Sequence, residues 1–280
     1  LPIVVVDVQR GGPSTGLPTK TEQSDLLQSL YGRSGESPAV VLAASTPSDC
    51  FWYAFKAAKI ALERMVPVIL LTDGFLGNGS EPWKVPSMAG LPEITPRIAK
   101  DPSAFKPYSR DNITLAREWA IPGMAGFEHR IGGLEKNIFG NVSHDADNHQ
   151  KNSEIREAKV MKVVDMVPDL EIYGPASGDV LIVSWGGTFG HTFSAVNELG
   201  KQGKNVSLAH FNYIKPLPAN TAEVFGKFKK IIVCELNMGQ FAAYLRDKIP
   251  GFTYYQYNKM KGLPFTVSEI TEAVVKLEEA

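Results

Sequence analysis

Apolar residues in this chain come in short unbroken runs, and most of these runs are separated by stretches of helical period. That pattern predicts parallel strands buried on both faces and joined by helices that cross back over the sheet. In the first half the runs are Ile3 to Val8 (IVVVDV), Pro38 to Ala44 (PAVVLAA) and Val66 to Asp73 (VPVILLTD). A helix ending near Tyr31, with Gly32 as its C-terminal stop, is expected between the first two. Thr19-x-x-Glu22 reads as its capping box, and Thr21 is the alternative cap if the Thr19 hydroxyl is needed elsewhere. A longer helix is predicted before the third run, because Thr46 suits an N-cap, Pro47 the first helical position and Asp49 the first turn. Three strands are fewer than most sheets hold. The chain also opens at Leu1, two residues ahead of a strand of buried type, with no initiator methionine or signal-peptide pattern. Both features lead us to expect a fragment of a longer polypeptide.

Residues 75–151 break the alternation. They carry no clear period and include seven prolines, at 82, 86, 92, 96, 102, 107 and 122. Trp83, Phe105, Tyr108, Trp119, Phe127 and Phe139 argue against free disorder. The stretch is expected to be an ordered arm or flap lying against another subunit, with packing on its own domain as the alternative. Asn152 or Ser153 then caps a helix running to Val167, and the Pro/Gly/Ser-rich segment Pro168 to Gly178 predicts a domain boundary near residue 173. The chain is thereby divided into 1–173 and 174–280.

The second part is more regular. DVLIVSW, NVSLAHF, KIIVCEL and FTYYQY read as strands, alternating with helices near 190–202, 218–227, 240–249 and 267–279. Thr266-x-x-Glu269 supplies a capping box for the last helix. The result is a doubly wound α/β module.

Composition narrows the function. With 280 residues, 44% hydrophobic and 21% charged, the chain reads as a soluble globular protein with room for two domains. A net charge of −1 gives no electrostatic footprint for nucleic acid or an anionic membrane. No apolar stretch is long enough to cross a bilayer. Cys50 and Cys234 are the only cysteines and neither belongs to a CxxC. That excludes an iron–sulfur cluster carried by this chain alone and suggests a reducing, cytoplasmic setting. Both are expected to be small core residues.

The chemistry concentrates in Arg10 to Asp25, RGGPSTGLPTKTEQSD, directly after the first strand. Ligands of open α/β sheets bind in the crevice at the carboxyl ends of the strands, and Arg10 sits at such an end. Its planar guanidinium can grip a carboxylate with two parallel bonds. Glycines 11, 12 and 16 let the backbone approach an anion, and Ser14, Thr15, Thr19, Thr21 and Lys20 add hydroxyls and a second charge. Residue types alone also allow a glycine-rich turn whose arginine pairs with a protein carboxylate.

The whole string closely resembles the alpha subunit of the thiamine-diphosphate-dependent 2-oxoacid:ferredoxin oxidoreductases, above all the 2-oxoglutarate enzymes. The resemblance implies an α/β chain in which 1–173 is a truncated pyrimidine-type thiamine-diphosphate-binding domain and 174–280 a transketolase C-terminal-like domain. It implies oxidative decarboxylation of a 2-oxoacid to an acyl-CoA and CO2 with electrons passed to ferredoxin, or the reverse. Arg10 and Thr19 fall on the family's arginine and threonine that hold the substrate carboxylate, and Ser14, Thr15 and Lys20 would shape the pocket. The family's glutamate that activates the aminopyrimidine ring lies upstream of this string, so no residue here takes that role and the chain alone is expected to be inactive. Thiamine diphosphate, magnesium and an iron–sulfur cluster are expected on a partner beta subunit. Coenzyme A and ferredoxin would be co-substrates, and the assembly a dimer of heterodimers.

Other candidates point elsewhere less strongly. Thr72-Asp73-Gly74 is similar to the GDG that opens a metal–diphosphate site, but it lacks the first glycine and a following Asn pair, so Asp73 is expected to serve a strand-end turn. Trp185 to His191 (WGGTFGH) lacks the G-x-G-x-x-G spacing and a later acidic residue for a ribose, which disfavours a nicotinamide dehydrogenase. His144 to His149 (HDADNH) is better suited to capping the next helix than to holding a metal. Glu235 to Gln240 (ELNMGQ) could line a subunit interface or a coenzyme A path, and otherwise forms a strand-to-helix turn. No nucleophile–base elbow is recognisable. A rival of another class is a non-catalytic assembly module that binds a partner subunit through the proline-rich arm.

Overall fold

All three apolar runs of the first half become parallel strands. The computed structural model describes residues 2–279; Leu1 and Ala280, the outer ends of the two expected domains, lie outside the described residues. The first half holds β1 (Ile3–Gln9), α1 (Leu26–Tyr31), β2 (Val40–Ala43), α2 (Pro47–Arg64), β3 (Pro67–Asp73), α3 (Gly74–Asn78) and α4 (Ala146–Met161). β4 (Ile172–Tyr173) lies just before the expected boundary yet joins the sheet of the second half, which holds β5 (Gly178–Trp185), α5 (Phe189–Lys201), β6 (Val206–Phe211), β7 (Tyr213–Lys215), α6 (Thr221–Phe225), β8 (Phe228–Glu235), α7 (Gln240–Lys248), β9 (Tyr254–Asn258) and α8 (Val267–Glu279).

The strands make two sheets, of order β1-β3-β2-β7 and β4-β6-β5-β8-β9. Neighbours are parallel except at β7 and β4, which lie antiparallel on β2 and β6. Both exceptions are two or three residues long, too short to leave a periodic signature. β7 also carries the second half's chain onto the first sheet.

Alternation along the strands sorts side chains between three layers. Val40 and Leu42 join Tyr53, Ala57, Ile60 and Ala61 of α2 and Val160 and Val163 in one core. Val180 and Ile182 join Ala195 and Leu199 of α5 and Ile270, Val274 and Leu277 of α8 in another. Between the sheets lies the third, where Val41, Ala43 and Leu71 meet Leu181, Val183, Trp185, Phe211 and Phe241. The two sheets therefore share one apolar core.

Local chemistry explains where helices begin. Thr46 Oγ1 accepts from Asp49 N at 3.2 Å and Pro47 opens α2, as the sequence predicts. At α8, Thr266 N donates to Glu269 Oε2 at 2.8 Å and Glu269 N to Thr266 Oγ1 at 3.2 Å, a reciprocal capping box. α4 starts earlier than expected. Its N-cap is Asp145, whose carboxylate accepts from Asn148 N at 2.7 Å, so HDADNH is a helix start and Asn152 and Ser153 lie inside the helix. Among the described residues there is no group of three or more His, Cys, Asp or Glu able to hold a metal.

Two expectations need correction. β1 is parallel, but it is an edge strand with Ile3, Val5, Val6 and Val8 exposed, because only β3 pairs with it. Likewise Thr19 caps no helix: α1 begins six residues after Thr21's neighbour Lys20, at Leu26, with Asp25 at the N-cap position. Gly32 does stop α1, its N–H reaching Gln28 O at 2.7 Å.

The arm, residues 79–145, is ordered and largely irregular. It packs on its own half: Trp119 Nε1 donates to Leu62 O at 3.0 Å, Trp83 stacks near Phe51 at 5.1 Å, and Lys59 and Glu63 of α2 bond Glu93 O and Thr95. Its outer side exposes Val85, Met88, Ile131, Leu134 and Phe139. No helix among the described residues is long and apolar enough to cross a membrane.

The layering predicts unequal costs for truncation. Ile182→Ala, at a fully buried site of a central strand, should lower unfolding stability by about 2–5 kcal/mol, and Val5→Ala, 46% exposed on β1, by less than about 1 kcal/mol. Urea unfolding of both variants checks this, and equal losses would contradict the assignment of β1 to an exposed edge.

Candidate functional site

The polypeptide leaves β1 at Gln9, whose side chain is buried and spans the strand ends: its Nε2 donates to Thr72 O at 3.1 Å and its Oε1 accepts from Asp25 N at 3.1 Å. Between these points residues 10–24 make a closed excursion. Gly11 N donates to Lys20 O at 3.0 Å and Leu17 N to Gly11 O at 2.8 Å, which lays the limb carrying Arg10 beside the limb carrying Thr19 and Lys20. Gly16 turns the tip with φ +49, and a Cβ there would collide with the Gly11 carbonyl. Ser14 and Thr19 also adopt positive φ, 55 and 64, an uncommon conformation for residues with side chains that marks a shape held by its surroundings.

The Arg10 guanidinium donates through Nη1 to the Thr15 carbonyl, and Ser24 Oγ donates to Arg10 O at 3.0 Å. Arg10 is exposed, and no carboxylate pairs with it among the described residues. The excursion therefore presents an oriented cation whose charge no carboxylate of the described residues neutralises.

What holds this loop is the second sheet. Gln23 is completely buried, and its backbone N donates to Leu236 O at 3.0 Å. Its side chain takes Leu236 N at 2.9 Å and donates to Trp185 O at 2.7 Å, while Asn237 Nδ2 donates to Gln23 O at 2.8 Å. Gln240 continues the seam, donating to Ser24 O at 2.9 Å and accepting from Leu27 N at 3.0 Å. One residue thus ties the loop to the carboxyl ends of β5 and β8.

Two buried carboxylates brace the same region. Asp73, at the end of β3, accepts from Thr21 Oγ1 at 3.1 Å and from Phe75 N and Leu76 N at 2.8 and 3.1 Å. Gly187 lies so close that a Cβ there would overlap the Asp73 carboxylate. Glu235, at the end of β8, accepts from Phe241 N at 2.7 Å, Ala242 N at 2.9 Å and Trp185 Nε1 at 3.3 Å. Burial raises the pKa of both, and the hydrogen bonds they accept oppose that rise. Both carboxylates are spent on helix starts, so neither is free for a ligand.

Comparison with known proteins decides the family. Residues 1–147, more than half of the chain, match the family model described as "Pyruvate flavodoxin/ferredoxin oxidoreductase, thiamine diP-bdg". The chain belongs to the 2-oxoacid:ferredoxin oxidoreductase alpha-subunit family. It is 48% identical over 96% of its length to the 2-oxoglutarate oxidoreductase subunit KorA of Mycobacterium tuberculosis, covering 41% of that protein. It is 30% identical over 99% of its length to the alpha subunit of 2-oxoacid:ferredoxin oxidoreductase 1 of Aeropyrum pernix, covering 44%. The solved 2-oxoglutarate:ferredoxin oxidoreductase of Magnetococcus marinus, which has 2-oxoglutarate, coenzyme A and succinyl-CoA bound, matches 98% of the chain at 32% identity with a TM-score of 0.93, and the chain covers 48% of it. The chain spans less than half the length of each of these relatives.

Within this oxidoreductase family chain, Arg10, Ser14, Thr15, Thr19 and Lys20 all fall on the exposed excursion. Arg10 meets Thr15 through that residue's carbonyl, and Lys20 packs its stem where Gly262 passes close by. Gln23, Asn237 and Gln240 lie within the two stretches singled out in the sequence, but no individual role was assigned to them there. Their signal lay in ELNMGQ, which is a strand-to-helix turn with Gly239 at φ +88 beside α7, and which binds TEQSDL across the sheets. WGGTFGH forms a 3-10 turn running into α5 against Asp73. One histidine does meet serines: His210 bonds Ser45 Oγ through Nε2 at 3.0 Å and Ser184 Oγ through Nδ1 at 2.7 Å. Burial drives its pKa down to about 3, so the ring is a neutral bridge between the sheets. Cys234 is buried, its thiol pKa pushed up to about 12, and Cys50 is half-buried with its thiol on Thr46 O.

The seam predicts that Gln23→Leu, which strands the buried Leu236 N–H and leaves the Trp185 carbonyl with Thr188 Oγ1 alone, lowers stability by about 2–4 kcal/mol in chemical denaturation; a loss below about 1 kcal/mol would remove Gln23 as the anchor. Gly16→Ala should cost about 1–3 kcal/mol through its left-handed backbone and the blocked turn, while Gly12→Ala, with open space around its Cβ, should stay within about 1 kcal/mol. Thermal unfolding compares the two, and equal effects would contradict the closed loop.

Proposed function

We propose that the chain forms the substrate-gripping part of the alpha subunit of a 2-oxoglutarate:ferredoxin oxidoreductase, active as part of a larger assembly. The observation that carries this reading is the Arg10 guanidinium: exposed, unpaired with any carboxylate among the described residues, and oriented by a loop anchored to both sheets. An anchored cation needs little reorganisation to receive an anion, which is what positions a substrate for reaction. Arg10 holds the carboxylate that leaves as CO2, Thr19 assists from the neighbouring limb, and Ser14, Thr15 and Lys20 shape the anion pocket. The reaction joins the remaining acyl group to coenzyme A and passes electrons to ferredoxin, or runs in reverse.

Thiamine diphosphate, when bound, supplies the carbanion stabilisation that decarboxylation requires. The residues here do not fit its metal–diphosphate end. Asp73, the acid nearest to the family's motif, is committed to Thr21 and the start of α3. The proposal therefore places thiamine diphosphate, magnesium and the iron–sulfur cluster on the partner beta subunit. This chain's task is to bind and orient the oxoacid. The two sheets serve it by setting their carboxyl ends around one loop.

The arm adds a second, compatible role. It packs inward on α2 yet exposes Val85, Met88, Ile131, Leu134 and Phe139, an apolar side suited to a partner subunit. The dimer of heterodimers fits that surface.

In the assembled enzyme, Arg10→Ala should lower kcat/KM for 2-oxoglutarate at least about a hundredfold, because a charged contact to a bound anion is worth about 3 kcal/mol. Arg10→Lys should recover only part of this, since the ammonium lacks the planar fork. Steady-state assays with a ferredoxin acceptor check it, and near wild-type turnover of Arg10→Ala would remove Arg10 from the site.

A further inference from the structure

A second uncompensated cationic site lies where the arm folds onto α4. Tyr108, Arg110, Arg117, Glu135, Arg156 and Lys159 line a cavity of about 410 Å3. Arg110, Arg117 and Lys159 are oriented by neutral oxygens or an aromatic ring, and Arg156 by Ser153 and Glu135. Arg110 donates to Leu115 O at 3.3 Å, Arg117 to Pro107 O at 3.2 Å while lying over the Tyr108 ring at 4.5 Å, and Lys159 to Met65 O at 2.8 Å. Lys136, buried beneath the rim, donates to the carbonyls of Gly132 and Leu134.

These carbonyl bonds fix positions without cancelling charge. Glu135 is the one carboxylate in the lining, and it is already shared between His149 at 2.5 Å and Arg156 at 3.4 Å. Among the described residues, Arg110, Arg117, Lys136 and Lys159 have no carboxylate partner. The repulsion is felt: burial, then Arg110, Arg117 and Arg156, bring the Lys159 pKa down to about 7, and burial with Arg117 and Arg156 brings Arg110 to about 10. Half-buried like charges held together by surrounding structure are costly unless an anion joins them.

We propose that this cavity binds a multiply charged phosphate group, gripped by Arg110, Arg117 and Lys159 with Arg156 at the rim. Two planar forks and one ammonium, presented from different segments, suit the several oxygens and multiple charges of a phosphate better than a single carboxylate. Binding would also tie the arm to α4, since the arginines at 110 and 117 belong to the arm and Arg156 and Lys159 to the helix.

Pyrophosphate is the probe. Calorimetric titration into the 280-residue chain at low ionic strength should give saturable single-site binding, and acetate at the same ionic strength should give none. Arg156→Gln, at a partly exposed side chain whose hydrogen bonds go to Ser153 and Glu135, should weaken pyrophosphate at least about tenfold at unchanged thermal stability. Bound pyrophosphate should also slow acylation of Lys159 several-fold, read by peptide mapping, while leaving the exposed Lys201 unaffected. Arg10→Ala should leave pyrophosphate affinity unchanged, which separates this site from the oxoacid site. Absence of saturable heat, an unchanged affinity in Arg156→Gln, equal acylation of Lys159 with and without pyrophosphate, or loss of binding in Arg10→Ala would each overturn the proposal.

Discussion

A single buried amide, the side chain of Gln23, joins a surface loop to the ends of two strands in another sheet. Its oxygen takes the Leu236 N–H and its nitrogen reaches the Trp185 carbonyl, so both halves of the amide are used. Backbone groups at strand ends lack ladder partners, and leaving them unpaired inside a core is expensive. The loop satisfies them and is fixed in return. Loop placement and core integrity therefore rest on the same hydrogen bonds, and the positive φ values at Ser14 and Thr19 persist because the loop is held at its base.

Charge is handled in two opposite ways. Asp73 and Glu235 are buried acids whose oxygens are filled by helix-start N–H groups and by Thr21 and Trp185, an arrangement that suits anions at helix N-termini. Arg10, Arg110, Arg117 and Lys159 are oriented by carbonyls and, at Arg117, an aromatic face. The two acids are satisfied internally, whereas these four cations have no carboxylate partner among the described residues. Between the sheets, neutral His210 bridges Ser45 and Ser184, adding a polar tie to an otherwise apolar contact.

Much of this was legible in the residues. The longer strands and helices of residues 178–279 follow their apolar runs, and the caps Thr266 with Glu269 at α8 and Thr46 with Pro47 at α2 form as expected because they act through neighbours a few positions away. What escaped was set by distant partners. Thr19-x-x-Glu22 satisfies the pattern of a capping box, yet hydrogen bonds from Gly11 to Lys20 and from Gln23 to Leu236 bend that segment into a loop and delay α1 to Leu26. β1 has the composition of a strand covered on both faces, and composition carries no information about which edge lacks a neighbour. β4 and β7 are too short to show a period. At the site, Arg10 and Thr19 were visible as chemistry, whereas Gln23 and Asn237, more than 200 positions apart, acquire meaning only together.

Hydrogen exchange of the assembled enzyme, with and without 2-oxoglutarate, tests the central claim most directly. The amides of Gln23 and Leu236 should be protected before substrate is added, and those of residues 10–20 should gain protection only when it binds. Protection that appears elsewhere while residues 10–20 remain unchanged would contradict the assignment of this anchored loop to the oxoacid.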